Sequence, residues 1–542
     1  MILPLVIKTR NEVQCNISGL TIADKNLIYK KLGVFIPNAR FMPKYKLGIW
    51  DGCIHYFDQN GNLPTGLLQE AFKLIDLRQY APSVIQYPSF TPRPQFQPID
   101  ENVFADYCWE KGHRLQGQPI TLEEHQVRGV NALLAAGKGV IEYGTGAGKT
   151  IMTAALCKRV CPVGKMVVIV PSRDLVKNTA DQLIALGFDC GSVLNDGTRE
   201  DNYRKEVVVI TWQSILSINR RIKGKGYWYD QIKEAETQAT KCLRMHKMDE
   251  LALIKVKIKE LEKNSAEDQM KAKAELQALQ DGIVAFLFDE THTAKGSEIK
   301  TILSETFPFV QVRFGMTGTV PKDLGDRYCV FAGIGGGVVE TMSAHDLQEL
   351  GFLADSEVKI VQLDDKPRFA DYQSEVSYVS SYTPRLEWIG KYALQTANQM
   401  GNTLMLVNHI ETGEKLETII RANGGEVTFL SGKDSVKTRD AQYKRVNNEN
   451  HALIIATAQI ASTGINMPRL KNLIFLDSGK SFVRTIQSIG RGLRLGRDKT
   501  KVVVHDISSA LKWQKQHLTK RKAYYKDAKI PMTERKVKDW EQ

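Results

Sequence analysis

Two tandem, doubly wound α/β domains are the fold that this 542-residue sequence predicts, with a small α+β domain ahead of them and a helical hairpin inserted in the first. Three observations carry that prediction. From about residue 120, short apolar runs alternate with helical stretches; a second such set follows the first; and a charged, proline-free segment interrupts the first set. Near-continuous runs of four to six residues rich in Val, Ile and Leu mark strands covered on both faces of a parallel sheet. The first set is Val140 to Tyr143, Met166 to Val170, Val207 to Ile210, Ile283 to Phe288 and Gln311 to Gly315. The second is Thr403 to Val407, Ala452 to Ala456, Leu473 to Leu476 and Val502 to Val504.

The elements follow in order. Residues 1–80 hold two strand-like stretches, one rich in aromatics around Ile49 to Phe57, and a helical pattern from Thr65 to about Leu77. Pro82, Pro88, Pro92, Pro94 and Pro98 then forbid helix or central strand, so residues 81–112 read as an extended linker that isolates the small domain mechanically. The first α/β domain spans 113–345, a connector 346–385, the second α/β domain 386–510 and a basic tail 511–542. The interruption at 229–280 has Ile254, Ile258 and Leu261 at helical spacing, and the expected turn of its hairpin lies near Asn264 to Glu267. Ten basic and eleven acidic residues between Asp230 and Asp281 nearly cancel, which suits a solvated arm and leaves open a protein partner or a DNA contact.

Composition narrows the function classes. No apolar run approaches the ~18 to 20 residues that span a bilayer, and Met1 to Lys8 is too short for a signal-peptide core, so a cytoplasmic location is expected, the host's if the gene is a phage's. The eight cysteines include no Cys-x-x-Cys pair, which fits reduced thiols rather than a metal knuckle. With 74 basic and 61 acidic residues the formal charge is +13, favouring a polyanionic partner. Lys512 to Lys538 hold ten Lys or Arg against Asp527 and Glu534, a net +8, with Trp513, Tyr524 and Tyr525 interleaved; a DNA-contacting helix is expected there.

Gly144-Thr145-Gly146-Ala147-Gly148-Lys149-Thr150 stands between a strand and a helix. Its glycines let backbone N–H groups turn toward phosphate oxygens, Lys149 adds positive charge, and Thr150 can ligate Mg2+, so ATP is the expected cofactor. The strict pattern would place Gly at 143, where this chain has Tyr143. Asp289-Glu290-Thr291-His292 closes the run Ile283 to Phe288. Such a pair can hold magnesium through Asp289 while Glu290 orients and deprotonates the attacking water.

These two motifs and those around them resemble the DExH branch of superfamily 2 helicases over about residues 120–510, which implies two RecA-like domains sharing one ATP site. Gln126 looks like the family's adenine-reading glutamine. Val170-Pro171-Ser172-Arg173-Asp174-Leu175 resembles motif Ia and Thr211-Trp212-Gln213-Ser214 motif Ic, both of which grip the sugar-phosphate backbone in the family. Thr317-Gly318-Thr319 resembles motif III, which links hydrolysis to movement. Ser431-Gly432-Lys433 precedes a motif V of Ala456-Thr457 and Gly464-Ile465-Asn466, from which Thr457 and Gly464 are expected to contact nucleic acid. Gln487-Ser488-Ile489-Gly490-Arg491-Gly492-Leu493-Arg494 resembles motif VI, which implies Arg494 as the finger, Arg491 lining the γ-phosphate and Gln487 as a further catalytic residue. Arg40 to Gly52 with Leu63-Pro64-Thr65-Gly66-Leu67 resembles the amino-terminal domain of phage UvsW-type branch-migration helicases.

The resemblance implies an ATP-dependent DNA helicase acting on forks and junctions with a single-stranded segment. An RNA helicase shares every motif, and a double-stranded DNA translocase of a restriction system would carry an added nuclease or partner module. A P-loop kinase would not need motifs V and VI.

Overall fold

The computed structural model describes residues 2–36, 38–109, 115–144, 146–291, 298, 301–321, 323–343, 346–347, 355–461, 467, 469–476, 501–527, 530–538 and 540. Two compact units divide the chain, chiefly residues 1–341 and 342–542.

In the first unit, β1 (Leu3–Thr9), β2 (Gln14–Ser18), β5 (Asn62–Pro64) and β6 (Tyr80–Ile85) form a four-stranded sheet in the order β5-β2-β1-β6, and β3 (Gly33–Phe35) pairs with β4 (Cys53–His55). This small domain holds more strands than its sequence suggests, because several are only three residues long. After a short ribbon of β7 (Phe104–Cys108) and β8 (Pro119–Ile120) come β9 (Lys138–Tyr143), β10 (Lys165–Val170), β11 (Cys190–Ser192), β12 (Val207–Thr211), β13 (Ile283–Asp289), β14 (Val312–Thr317) and β15 (Val338–Met342). These seven make one sheet in the order β11-β12-β10-β13-β14-β9-β15, and β11 through β9 run parallel. Every residue of β10, β12 and β14 is buried, as strands covered by helices on both faces require.

The proline-rich segment has no regular structure from Gln86 to Asp100, as its prolines dictate, but it does not isolate the small domain. Ile99 and Asn131 exchange hydrogen bonds of 2.8 and 2.9 Å, and Arg93 donates to the Ala136 carbonyl. The small domain itself docks on the first α/β domain. Tyr56 donates to the Gly325 carbonyl at 3.0 Å, Glu12 receives Lys138 and the Tyr87 hydroxyl, and Leu67 and Phe331 belong to one continuous apolar core. Gly66 lies so near this seam that a Cβ there would sit 1.8 Å from the Phe331 carbonyl oxygen. Burial therefore overrides the flexibility that proline spacing suggests.

The hairpin consists of helices Tyr227–Arg244 and Met248–Gln280. Its turn is at Met245 to Lys247, where His246 takes φ 54°, and the expected turn at Asn264 to Glu267 lies inside the second helix. No glycine or proline interrupts that 33-residue helix, so nothing ends it at Asn264. At its root Arg221 bridges Asp268 and Glu275 at 2.8 Å each, and Lys165 donates to the carbonyls of Tyr203 and Ala278. Leu243, Met245, Met248, Leu253 and Val256 are exposed toward its far end.

The second unit is a parallel seven-stranded sheet of β16 (Asp355–Leu363), β17 (Thr403–Val407), β18 (Val427–Leu430), β19 (Leu453–Thr457), β20 (Asn472–Leu476), β21 (Lys501–Ser509) and β22 (Met532–Val537). Its order is β18-β19-β17-β20-β21-β16-β22. Both flanking segments thus join the domain expected at 386–510: the connector supplies β16 and the basic tail β22. Helix Lys512–Asp527 buries Leu518 and Tyr525 in the core, Glu375 accepts from the N–H groups of Trp513 and Gln514 at its start, and Trp540 packs beyond it. A segment carrying a net +8 is therefore partly inside.

Candidate nucleotide and nucleic-acid site

β9, β13 and β14 are parallel neighbours paired Arg313 to Lys138 and Asp289 to Met316, so their carboxyl ends share one sheet edge. The loop Gly144–Thr150 leaves β9 there, and helix Lys149–Val160 follows it. Gly146 and Gly148 take φ 96° and 81°, conformations that a side chain would strain, and this frees the backbone to curl around phosphate. The Gly144 N–H donates to the Met342 carbonyl at 2.8 Å, and Lys149 is buried with Nζ 3.4 Å from the Tyr143 carbonyl oxygen. Ala147 is buried and Thr150 half-buried; Thr145 lies outside the described residues.

Asp289 ends β13, and its Oδ1 accepts from the Glu290 N–H at 3.0 Å. Glu290 takes φ 50°, one of two non-glycine residues with positive φ among the described residues. That left-handed backbone costs free energy and persists where surrounding contacts over-determine it, as they do at reaction sites. The Glu290 carboxylate accepts from the Gly318 N–H at 3.4 Å, and Thr317 Oγ1 donates to the Thr319 carbonyl at 3.0 Å. Glu142, which sequence reasoning missed, accepts from the Val320 N–H at 2.8 Å and so ties the end of β9 to the turn after β14. Its signal was present: a carboxylate near the end of a mostly apolar strand, with one residue between it and the glycine loop. His292 lies outside the described residues.

Gln126 is buried in the first turn of helix Glu124–Ala136, where its Oε1 accepts from the Glu123 N–H at 3.0 Å and closes a capping box. On the hydrogen-bonding edge of β10 and β12, Val170 pairs with Thr211, so the two backbone-gripping segments expected from the sequence are side by side. Ser172 caps helix Arg173–Ala185 by accepting from the Leu175 N–H at 3.3 Å, and Thr211 caps helix Trp212–Ile222 by accepting from the Ser214 N–H at 3.1 Å. Gln213 donates to the Pro171 carbonyl at 3.2 Å and joins the segments. Arg173 and Gln213 are exposed, whereas Trp212 packs its ring against the apolar core. Two neighbouring helix N-termini flanked by an arginine make an anion-binding edge.

In the second unit Thr457 is buried at the carboxyl end of β19, paired with Val407, and Ser431 accepts from the Lys433 N–H at 3.3 Å. Gly464, Gln487, Arg491 and Arg494 lie outside the described residues.

Comparison with known proteins agrees with this geometry. The family described as "Type III restriction enzyme, res subunit" matches residues 119–322, "Helicase conserved C-terminal domain" residues 385–496, and "DNA helicase UvsW, N-terminal" residues 22–84. The chain is similar to the ATP-dependent DNA helicase uvsW of Enterobacteria phage T4, at 23% identity over 501 residues, covering 89% of this chain and 86% of that protein. Among solved structures it resembles a putative HsdR subunit of a type I restriction enzyme from Vibrio vulnificus, at 16% identity and TM-score 0.52, covering 82% and 72% of the two chains. It also resembles S. cerevisiae Dbp5 bound to RNA and ADP BeF3, at 15% identity and TM-score 0.51, covering 78% and 91%. The last two likenesses establish tandem RecA-like folds. The family matches on the two halves and the similarity to the uvsW helicase make the chain an ATP-dependent helicase of superfamily 2, of UvsW-like type.

Proposed function

We propose that this helicase acts on DNA and remodels branched molecules, namely forks, displacement loops and four-way junctions. The observation that carries the proposal is the pair of capped helix N-termini behind Ser172 and Thr211, whose first-turn N–H groups and Arg173 offer contacts to phosphates. Binding independent of sequence follows from such contacts. Thr150 and Asp289 supply the hydroxyl and carboxylate oxygens that a hard cation prefers, and they fit magnesium. That ion would neutralise charge on the phosphate oxygens. Lys149 holds the same phosphates, Glu290 takes the proton of the attacking water, and the Gly318 contact passes the state of Glu290 to the turn that follows β14. By the family resemblance, Gln126 is assigned to the adenine, Arg491 and Arg494 to the γ-phosphate, and Gln487 to catalysis. Thr457 and Gly464 extend the backbone grip in the second RecA-like domain.

The preference for branches is assigned to the small amino-terminal domain. Phe41, Leu47 and Ile49 are all more than two-thirds exposed, beside Arg40, Lys44 and Lys46, and such a surface suits a place where paired and unpaired strands meet. The exposed end of the hairpin is assigned to a protein partner. Unwinding assays on fork, flap and Holliday substrates against linear duplex, each in DNA and RNA form, test the proposal. Faster turnover on linear duplex, or on RNA, would defeat it.

A further inference from the structure

Within the amino-terminal domain Asp51, Cys53 and His55 bring a carboxylate oxygen, a thiol sulfur and an imidazole nitrogen within 4.8 Å of one another. Cys53 and His55 are two apart on β4 and so share a face, held by pairing of Phe35 with Cys53 and Gly33 with His55. Gly52 takes φ 81° and turns Asp51 back over that face; a Cβ there would lie 2.6 Å from the Phe35 ring. The Asp51 Oδ1 accepts from the Cys53 N–H at 2.9 Å, and the Trp50 indole donates to the Cys53 carbonyl at 2.8 Å, so the turn is held from both sides.

The surroundings of His55 point to a cation. Its Nδ1 is 3.0 Å from the Tyr29 carbonyl oxygen, an acceptor only, so Nδ1 carries a proton. Its Nε2 is 2.7 Å from Asp51 Oδ2, also an acceptor. In a neutral ring two lone pairs would then face each other. Either a second proton or a metal ion must lie on that line. A ligating histidine that donates its other N–H to a backbone carbonyl is the usual arrangement around zinc, and the ring is further fixed by stacking on Tyr29 with centroids 3.8 Å apart.

We propose that Asp51, Cys53 and His55 bind one Zn2+, with water as the fourth ligand. The mixed oxygen, sulfur and nitrogen set favours zinc over magnesium or calcium. Tetrahedral ligation puts the oxygen and nitrogen roughly 3.3 Å apart, so the ion needs them to separate by about half an ångström from 2.7 Å. Asp51 is half exposed and can make that adjustment. The ion would fasten the carboxyl end of the segment that displays Phe41, Leu47 and Ile49.

The test uses the full chain, stripped with chelator and titrated with Zn2+ by calorimetry and with Co2+ by absorbance. One ion per chain with a thiolate-to-cobalt charge-transfer band is expected. Asp51→Asn and His55→Gln should each weaken Zn2+ at least ~10-fold, and Cys53→Ser should remove the band. Cys108→Ser, which changes an exposed thiol elsewhere, should bind as the parent does. Circular dichroism of each variant confirms that it is folded, and Asp51→Asn, at an exposed carboxylate, keeps the test decisive if another variant is not. Absence of tight Zn2+ uptake by the parent chain, or parent-like uptake by folded Asp51→Asn, would leave a protonated His55–Asp51 ion pair and overturn the site.

Discussion

Arg521→Met should destabilise the second RecA-like domain by about 3–5 kcal/mol, the cost of leaving a buried carboxylate without its cation. Asp506 is fully buried on β21, and its two oxygens receive Arg521 Nε and Nη2 and the Tyr525 hydroxyl, each at 2.9 Å. In the variant only the tyrosine contact remains. Replacing both charges, as in Arg521→Met with Asp506→Leu, removes the stranded charge as well and should cost far less than either single change. Urea unfolding followed by circular dichroism, with limited proteolysis of the helix Lys512–Asp527, reads the difference. Because Arg521 is internal, its loss should also leave the salt dependence of DNA binding unchanged, while Lys512, Lys515 and Lys520 on the exposed side should each lower the log–log slope by roughly one if that face grips DNA. An Arg521→Met protein as stable as its parent, or a double variant no better than the single one, would refute the reasoning.

Lys149→Ala should abolish ATP hydrolysis and leave DNA binding largely intact, measured by phosphate release and filter binding; parent-like turnover would remove the loop from the ATP site. Glu290→Gln should bind ATP and turn over at least ~100-fold more slowly, and near-normal hydrolysis would place the base elsewhere. Removing residues 1–95 should lower the melting temperature of what remains and promote aggregation, since it bares the core surface around Phe331 and strips Lys138 of Glu12; an unchanged melting curve would show that the docking is dispensable. Burial holds His505 down to about 4, so the unfolded chain, titrating near 6.5, binds the extra proton first as pH falls. Stability should therefore decline from about pH 6.5 to about pH 4, by about 3 kcal/mol in total, and His505→Asn should flatten that limb of the profile.

The buried strands were legible because position barely matters to them: Met166 to Val170 or Leu473 to Leu476 is apolar on either face, so no partner need be known. Strands near the sheet's edge hide the same information. Asp355–Leu363 and Met532–Val537 mix charges with apolar residues, and only the pairing of the first with Lys501–Ser509 and of the second with the first makes them strands. Gln514, Leu518, Arg521 and Tyr525 do recur at helical spacing, a core stripe masked because one member is cationic. The candidate-site motifs were readable as order and spacing, but the φ of Glu290 and its contact with Gly318, 28 residues away in sequence, depend on how their strands are placed. The zinc ligands lack the usual Cys-x-x-Cys signature, and they converge only because Gly52 turns the chain.

The order of strands in the second sheet also sets a timetable for synthesis. β16 is flanked by β21 and β22, so it emerges with both edges bare and finds its farther neighbour only 174 residues after Leu363, at Val537. At roughly 5–20 residues per second that is a wait of about 10–35 seconds on the ribosome, while the small domain and the first RecA-like domain can already have closed. A nascent chain with an unpaired Val358–Leu363 edge is expected to be prone to aggregate, over an interval set by topology rather than by the stability of the finished fold.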